Sequence, residues 1–207
     1  GKSTLMKVLA GAVVPDGGQL TFNDEEVSCA TPLDALDRGI AVVGAASIGA
    51  LRAAELHGFG MIGIGAVFEA YSGGRLLRDD AVLVAHAPAA LGYRPLSVAL
   101  VDFEDAVCSA PLPADVREAL VRRARRMSFE ERDVAAICRA VDRSAADQWC
   151  AVIEPRLTPG LKQRDALALI ECLRSAVRPR AMPPRLVRTG YYRVFEGWAA
   201  GSAARPA

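Results

Sequence analysis

The clearest pattern of apolar and polar positions lies at residues 39–56. Gly39-Ile40-Ala41-Val42-Val43 is a short continuous apolar run, as in a buried parallel strand. Ile48 to Leu56 is rich in Ala and Leu, with Arg52 and Glu55 three positions apart, and predicts a helix. Only Gly44, Ala45, Ala46 and Ser47 separate the two. A strand, a tight turn of small residues and a helix would present Ser47 at the carboxyl edge of a sheet. The N–H groups that open the helix would face whatever binds there.

On either side the pattern is more local. Leu5 to Gly11 predicts a helix opened by Gly1-Lys2-Ser3-Thr4. Pro15-Asp16-Gly17-Gly18 is a turn signal, with Gln19-Leu20-Thr21-Phe22 and Glu26-Val27-Ser28 as the strands of a hairpin beside it. Arg78 to Ala85 reads as a turn and then a strand, with His86 at its carboxyl end. Beyond Val101 the chain turns helical. Asp115-Val116-Arg117-Glu118 and Ser128-Phe129-Glu130-Glu131 fit capping boxes, and Ser144 and Thr158-Pro159 would start two further helices. From about Ala176 the chain is rich in Pro, Arg, Gly and Ala without periodicity, which predicts a mobile tail. The fold class expected is α/β: a small parallel sheet with helices, a helical C-terminal region, and an N-terminal helix plus β-hairpin.

Composition narrows the function classes. An apolar share of 52% in 207 residues suffices for a core, and a net charge of +1 gives no argument for nucleic acid or a membrane surface. The five cysteines include no CxxC pair, which argues against a disulfide framework or a zinc site and for a reducing cytoplasm. No apolar run reaches the roughly 18 residues of a membrane helix, and no signal peptide opens the chain. The sequence begins in the middle of a motif and reads as a fragment. Neither a metal nor an organic cofactor is expected.

Ser47 leads the candidate chemistry. Ala45-Ala46-Ser47-Ile48-Gly49 has the small-x-Ser-x-Gly spacing of a nucleophile elbow, and the same serine is equally placed to cap a helix or to offer a ligand-binding hydroxyl. A serine nucleophile needs a base. His57, ten residues down the same helix, is about 15 Å away at the usual rise. His86 would share the carboxyl edge of the sheet with Ser47 if both strands are parallel members of it, and it has an equally simple reading as a strand-end residue bonded to backbone. Asp79, Asp80 or Asp102 would orient it, with no sequence feature to choose among them. Arg52 and Glu55 form either a surface pair or, through Arg52, an anion contact. Arg122, Arg123, Arg125 and Arg126 make a basic helix face, solvated or docked to an acidic partner.

Two resemblances cover the chain. Residues 1–38, with Gly1-Lys2-Ser3-Thr4 and the turn at Pro15-Asp16-Gly17-Gly18, resemble the nucleotide-binding subunit of a sugar-type ABC transporter. Lys2, Ser3 and Thr4 would be vestigial nucleotide-binding residues, because the glycine-rich front half of a phosphate loop is missing. The motifs Gly44–Leu56, Phe59–Gly63, Phe68–Tyr71, Asp79–Val82, His86–Pro88 and Leu91–Arg94 are similar to the core of the TfuA-like family. Lys162-Gln163-Arg164-Asp165-Ala166-Leu167 fits that family's C-terminal helix. The resemblance implies a core domain at 39–175, ahead of the 176–207 tail. It implies a cytoplasmic partner of YcaO enzymes, which convert peptide amides to thioamides, that supplies sulfide by hydrolysing a thiocarboxylated ubiquitin-like sulfur-carrier protein. Ser47, His86 and Arg52 would then be catalytic, and Glu55, Tyr71, Tyr93 and Arg94 substrate-binding. The alternatives are a non-catalytic adaptor that docks or activates YcaO, and an inactive hybrid carrying an ATPase remnant.

Overall fold

Small residues at 44–46 let the chain pass from strand to helix within four positions, and the architecture is built outward from that passage. The computed structural model describes residues 39–175 continuously, together with Gly17, Thr21–Phe22, Glu25–Glu26 and Ala35–Leu36. The phosphate-loop residues Lys2, Ser3 and Thr4, the helix after them and the tail from Ala176 lie outside the described residues. Of the expected hairpin, β1 (Thr21–Phe22) and β2 (Glu25–Glu26) are described and pair antiparallel.

The fold is mixed α/β. Strand β3 (Val43–Ala45) leads into helix α1 (Ile48–Leu56), and β4 (Ile62–Ile64) returns beside β3 in parallel, with Val43 opposite Ile62 and Ala45 opposite Ile64. Helix α2 (Ala66–Ser72) follows at once. Five α-helices then follow among the described residues: α3 (Leu100–Ser109), α4 (Ala114–Arg126), α5 (Val134–Val141), α6 (Ala146–Ile153) and α7 (Leu161–Arg174). Phe103, Leu120, Ile137 and Ile153, one from each of α3 to α6, are fully buried, and a core continuous with Ala50, Ala54 and Val67 joins the helical half to the sheet.

The strand expected to follow a turn within residues 78–85 is not formed. Asp79–Val82 is a 3-10 turn, and the extended chain beyond it folds back on residues 94–97. Ala87 N–H donates to the Arg94 carbonyl, Leu96 N–H to that of Ala85, and Ala85 N–H to the Ser97 hydroxyl. The segment thus pairs with its own loop, and among the described residues the parallel sheet consists of β3 and β4. His86 therefore sits in an antiparallel bridge with Pro95 and not at the end of a parallel strand. The fully buried Arg132 fixes the turn, donating to the Asp80 carbonyl and carboxylate and to the carbonyls of Ala124 and Met127.

Helix starts also depart from the capping pattern. Ser128 makes a turn with Glu130 and Glu131, and the helix begins later, where the Asp133 carboxylate accepts the Ala136 N–H. The cap nearest Asp115 is Pro113, which leaves Asp115 in the first turn of α4. Ser144 donates to Asp142 two residues before α6, and α7 starts at Leu161 after Thr158-Pro159.

Candidate active site

The β3–α1 passage is an elbow under backbone strain. Ala46 has φ +68°, the left-handed region that costs a residue with a Cβ on the order of 1 kcal/mol, and Ser47 N–H closes a tight turn on the Ala45 carbonyl at 2.8 Å. Gly44 permits the helix to lie this close to the strand: a Cβ there would stand 2.1 Å from the Gly49 carbonyl oxygen. The elbow leaves Ser47 half-buried at the mouth of α1, where the Ala50 and Leu51 N–H groups donate to the Ser47 carbonyl and those of Ile48 and Gly49 open the helix ahead of them.

The Ser47 hydroxyl does not cap its helix. It donates across the molecule to the Val82 carbonyl at 3.2 Å. Lys162, in the first turn of α7, donates its Nζ to the same oxygen at 2.7 Å. Two donors at those distances from one oxygen are no more than about 6 Å apart, so the serine hydroxyl and the lysine amine share one small space. Burial pushes the Lys162 amine below its ordinary value, with the nearby Asp102 charge opposing. A lysine lowered in this way gives up its own proton, and so becomes available as a base, more readily than a free one. Asp102 in turn accepts the Lys162 backbone N–H at 2.8 Å; burial raises its carboxyl, and the Lys162 N–H and charge oppose the rise.

The other sequence candidates fall into two groups. Arg52 and Glu55 form an ion pair at 2.5 Å on α1, and Asp79 lies within reach of the Arg52 charge. Burial raises the Asp79 carboxyl, and Arg52 opposes it. Tyr71, buried in α2, donates its hydroxyl to the Arg78 carbonyl at 2.9 Å; burial raises its pKa, and the charges of Asp79, Asp80 and Glu55 add to that. This group packs around the Asp79–Val82 turn, whose last carbonyl receives Ser47 and Lys162.

The second group is His86, Tyr93 and Arg94, all exposed on the 85–97 loop. His86 Nδ1 lies 2.9 Å from the Tyr93 carbonyl, and Tyr93, 66% exposed, is held at φ +54°. The hydrogen bonds of His86 stay within its own loop, while those of Ser47 run to Val82. Asp80 pairs with Arg78 and Arg132, and Asp102 serves Lys162; neither orients an imidazole. On the basic face of α4, Arg122 pairs with Glu118 and Arg125 with Glu104. Cys108, Cys138, Cys150 and Cys172 are free, and among the described residues no group of His, Cys, Asp and Glu is arranged to hold a metal ion.

Sequence reasoning missed Lys162. The available signal was its rarity, since the chain carries only Lys2, Lys7 and Lys162 and otherwise takes its cations from arginine.

The TfuA-like protein family matches residues 20–133, more than half of the chain, and the match contains β3, the elbow, α1 and the Asp79–Val82 turn. The chain belongs to the TfuA-like family. Membership associates this TfuA-like chain with YcaO-dependent thioamidation. Lys162 lies beyond the matched residues. A second similarity runs over 43 residues to proteins assigned as ribose/galactose/methyl galactoside import ATP-binding proteins. Identity is 58% in Burkholderia cenocepacia, 54% in Ralstonia nicotianae and 51% in Rhizobium etli. That stretch is 21% of this chain and only 8% of each transporter protein's length. Among the described residues, no helix is long and apolar enough to cross a membrane.

Proposed function

We propose that this TfuA-like protein supplies sulfide for YcaO-dependent thioamidation by hydrolysing the thiocarboxylated C-terminus of a ubiquitin-like sulfur-carrier protein in the cytoplasm. The observation that carries the reading is the meeting of Ser47 and Lys162 on the Val82 carbonyl, at a strained elbow beside a helix N-terminus.

In the reaction that this pair supports, the neutral Lys162 amine takes the Ser47 proton as the oxygen attacks the thiocarboxylate carbon. The Ile48 and Gly49 N–H groups that open α1 stabilise the oxyanion. The tetrahedral centre collapses with loss of sulfur, Lys162 returns the proton to it, and hydrosulfide leaves an ester on Ser47; the proton that Lys162 next takes from water completes hydrogen sulfide. Water, deprotonated by Lys162, then cleaves that ester to the carrier carboxylate and free Ser47. The net change is thiocarboxylate plus water to carboxylate plus hydrogen sulfide. Arg52 stands on the same helix, where a guanidinium suits an anionic chain end.

A docking role for YcaO draws on a different surface: Leu91, Tyr93 and Leu96 are more than half exposed on one loop. Comparison of Ser47→Ala with the parent protein separates the two. Loss of sulfide release with YcaO binding kept supports the hydrolase, and unchanged release with weakened thioamidation supports the adaptor. The ATPase-like stretch is read as a remnant, with no saturable binding expected at millimolar ATP.

A further inference from the structure

Lys162 is held from several sides. Its side chain reaches the Val82 carbonyl of the 3-10 turn, where the Ser47 hydroxyl arrives from the elbow. Its backbone N–H is taken by the Asp102 carboxylate of α3 at 2.8 Å. Gly160 makes room for that carboxylate, because a Cβ there would stand 3.0 Å from Asp102 Oδ1. Arg164 ties α7 to α3 a second time through Asp105 at 2.7 Å. On α7 itself, Asp165 is turned away to the N–H groups of Ala66 and Val67. Asp102 is thus the carboxylate that reaches the lysine, with Asp105 and Arg164 as the charges around it.

We propose that Asp102 is a positioning residue for Lys162: its carboxylate fixes the start of α7 and supplies an opposite charge near the amine. The assignment rests on the Ser47–Lys162 reading for its catalytic meaning, and on the hydrogen bond alone for its structural one. Asp102→Asn separates the two parts, because an amide oxygen still accepts the Lys162 N–H while the charge is gone.

With three lysines in the chain, Lys162 can be followed directly by its ¹³Cε resonance in labelled protein, assigned by its loss in Lys162→Gln. In the parent its midpoint should lie below the ordinary lysine value of 10.5. In Asp102→Asn it should move further towards acid by on the order of one pH unit, since the charge that favours the ammonium form is removed. Thermal stability should be nearly unchanged in Asp102→Asn and reduced in Asp102→Ala. The acid limb of sulfide release should move with the titration. A Lys162 midpoint unmoved in a folded Asp102→Asn protein would overturn the assignment. A shifted midpoint in a protein that releases no sulfide would uphold it and sink the hydrolase reading instead.

Discussion

Ala46 is the residue on which the elbow's geometry turns. At φ +68° an alanine is tolerated because its methyl group is small; a β-branched side chain there meets its own backbone. Ala46→Val should therefore lower stability by roughly 1–3 kcal/mol in chemical denaturation, with a larger loss of any activity that depends on the placement of Ser47. Asp80 gives a second residue-scale expectation. Burial pushes its carboxyl up, but the Arg78 and Arg132 hydrogen bonds and charges outweigh that and hold it below its ordinary 3.8. A depressed carboxyl contributes stability above its unfolded value that is lost as pH falls through the folded one. Stability should drop below about pH 4, and Asp80→Asn should flatten that drop in a pH series of thermal melts.

At the scale of elements, the β3–α1–β4 unit depends on how near the helix lies to the sheet. Gly44→Ala would drive a methyl group into the Gly49 carbonyl and the Met61 side chain, a clash that backbone must relieve. A loss of about 1–3 kcal/mol follows, read as a fall in melting temperature. This unit was legible in sequence because its signals are local: an apolar run, small residues, a serine and an Ala-rich helix all agree on one answer. The segment 78–86 was not. Its Val-rich stretch has strand propensity, yet the outcome is set by Arg132, about fifty residues later, and by hydrogen bonds from residues 94–97. Helix starts at 134 and 146 were misplaced by local serines that bond to their own turns. The site was half legible for the same reason. Ser47 follows from the elbow, while Lys162 meets it only through the packing of α7.

Across the whole molecule, α7 works as a latch between the sheet and the helical half. One turn beyond Lys162, the Asp165 carboxylate, 4% exposed, accepts the N–H groups of Ala66 and Val67 at 3.0 and 2.9 Å and fills the space where Gly65 lacks a Cβ. Asp165→Ala should cost on the order of 2–4 kcal/mol, since two donors lose a charged acceptor. Lys162 should also lose its hold on Val82, so that sulfide release falls more steeply than stability, as a melt beside a rate measurement would read.

The account's central claim is that Ser47, with Lys162 as its base, attacks the thiocarboxylate carbon. The most direct measurement is peptide mapping of the protein after rapid acid quenching during turnover of a thiocarboxylated carrier protein. The expected result is an acyl group in ester linkage on Ser47, absent in Ser47→Ala and fully suppressed in Lys162→Gln. Sulfide release at full rate from Ser47→Ala, with no acyl group on the parent protein, would contradict it.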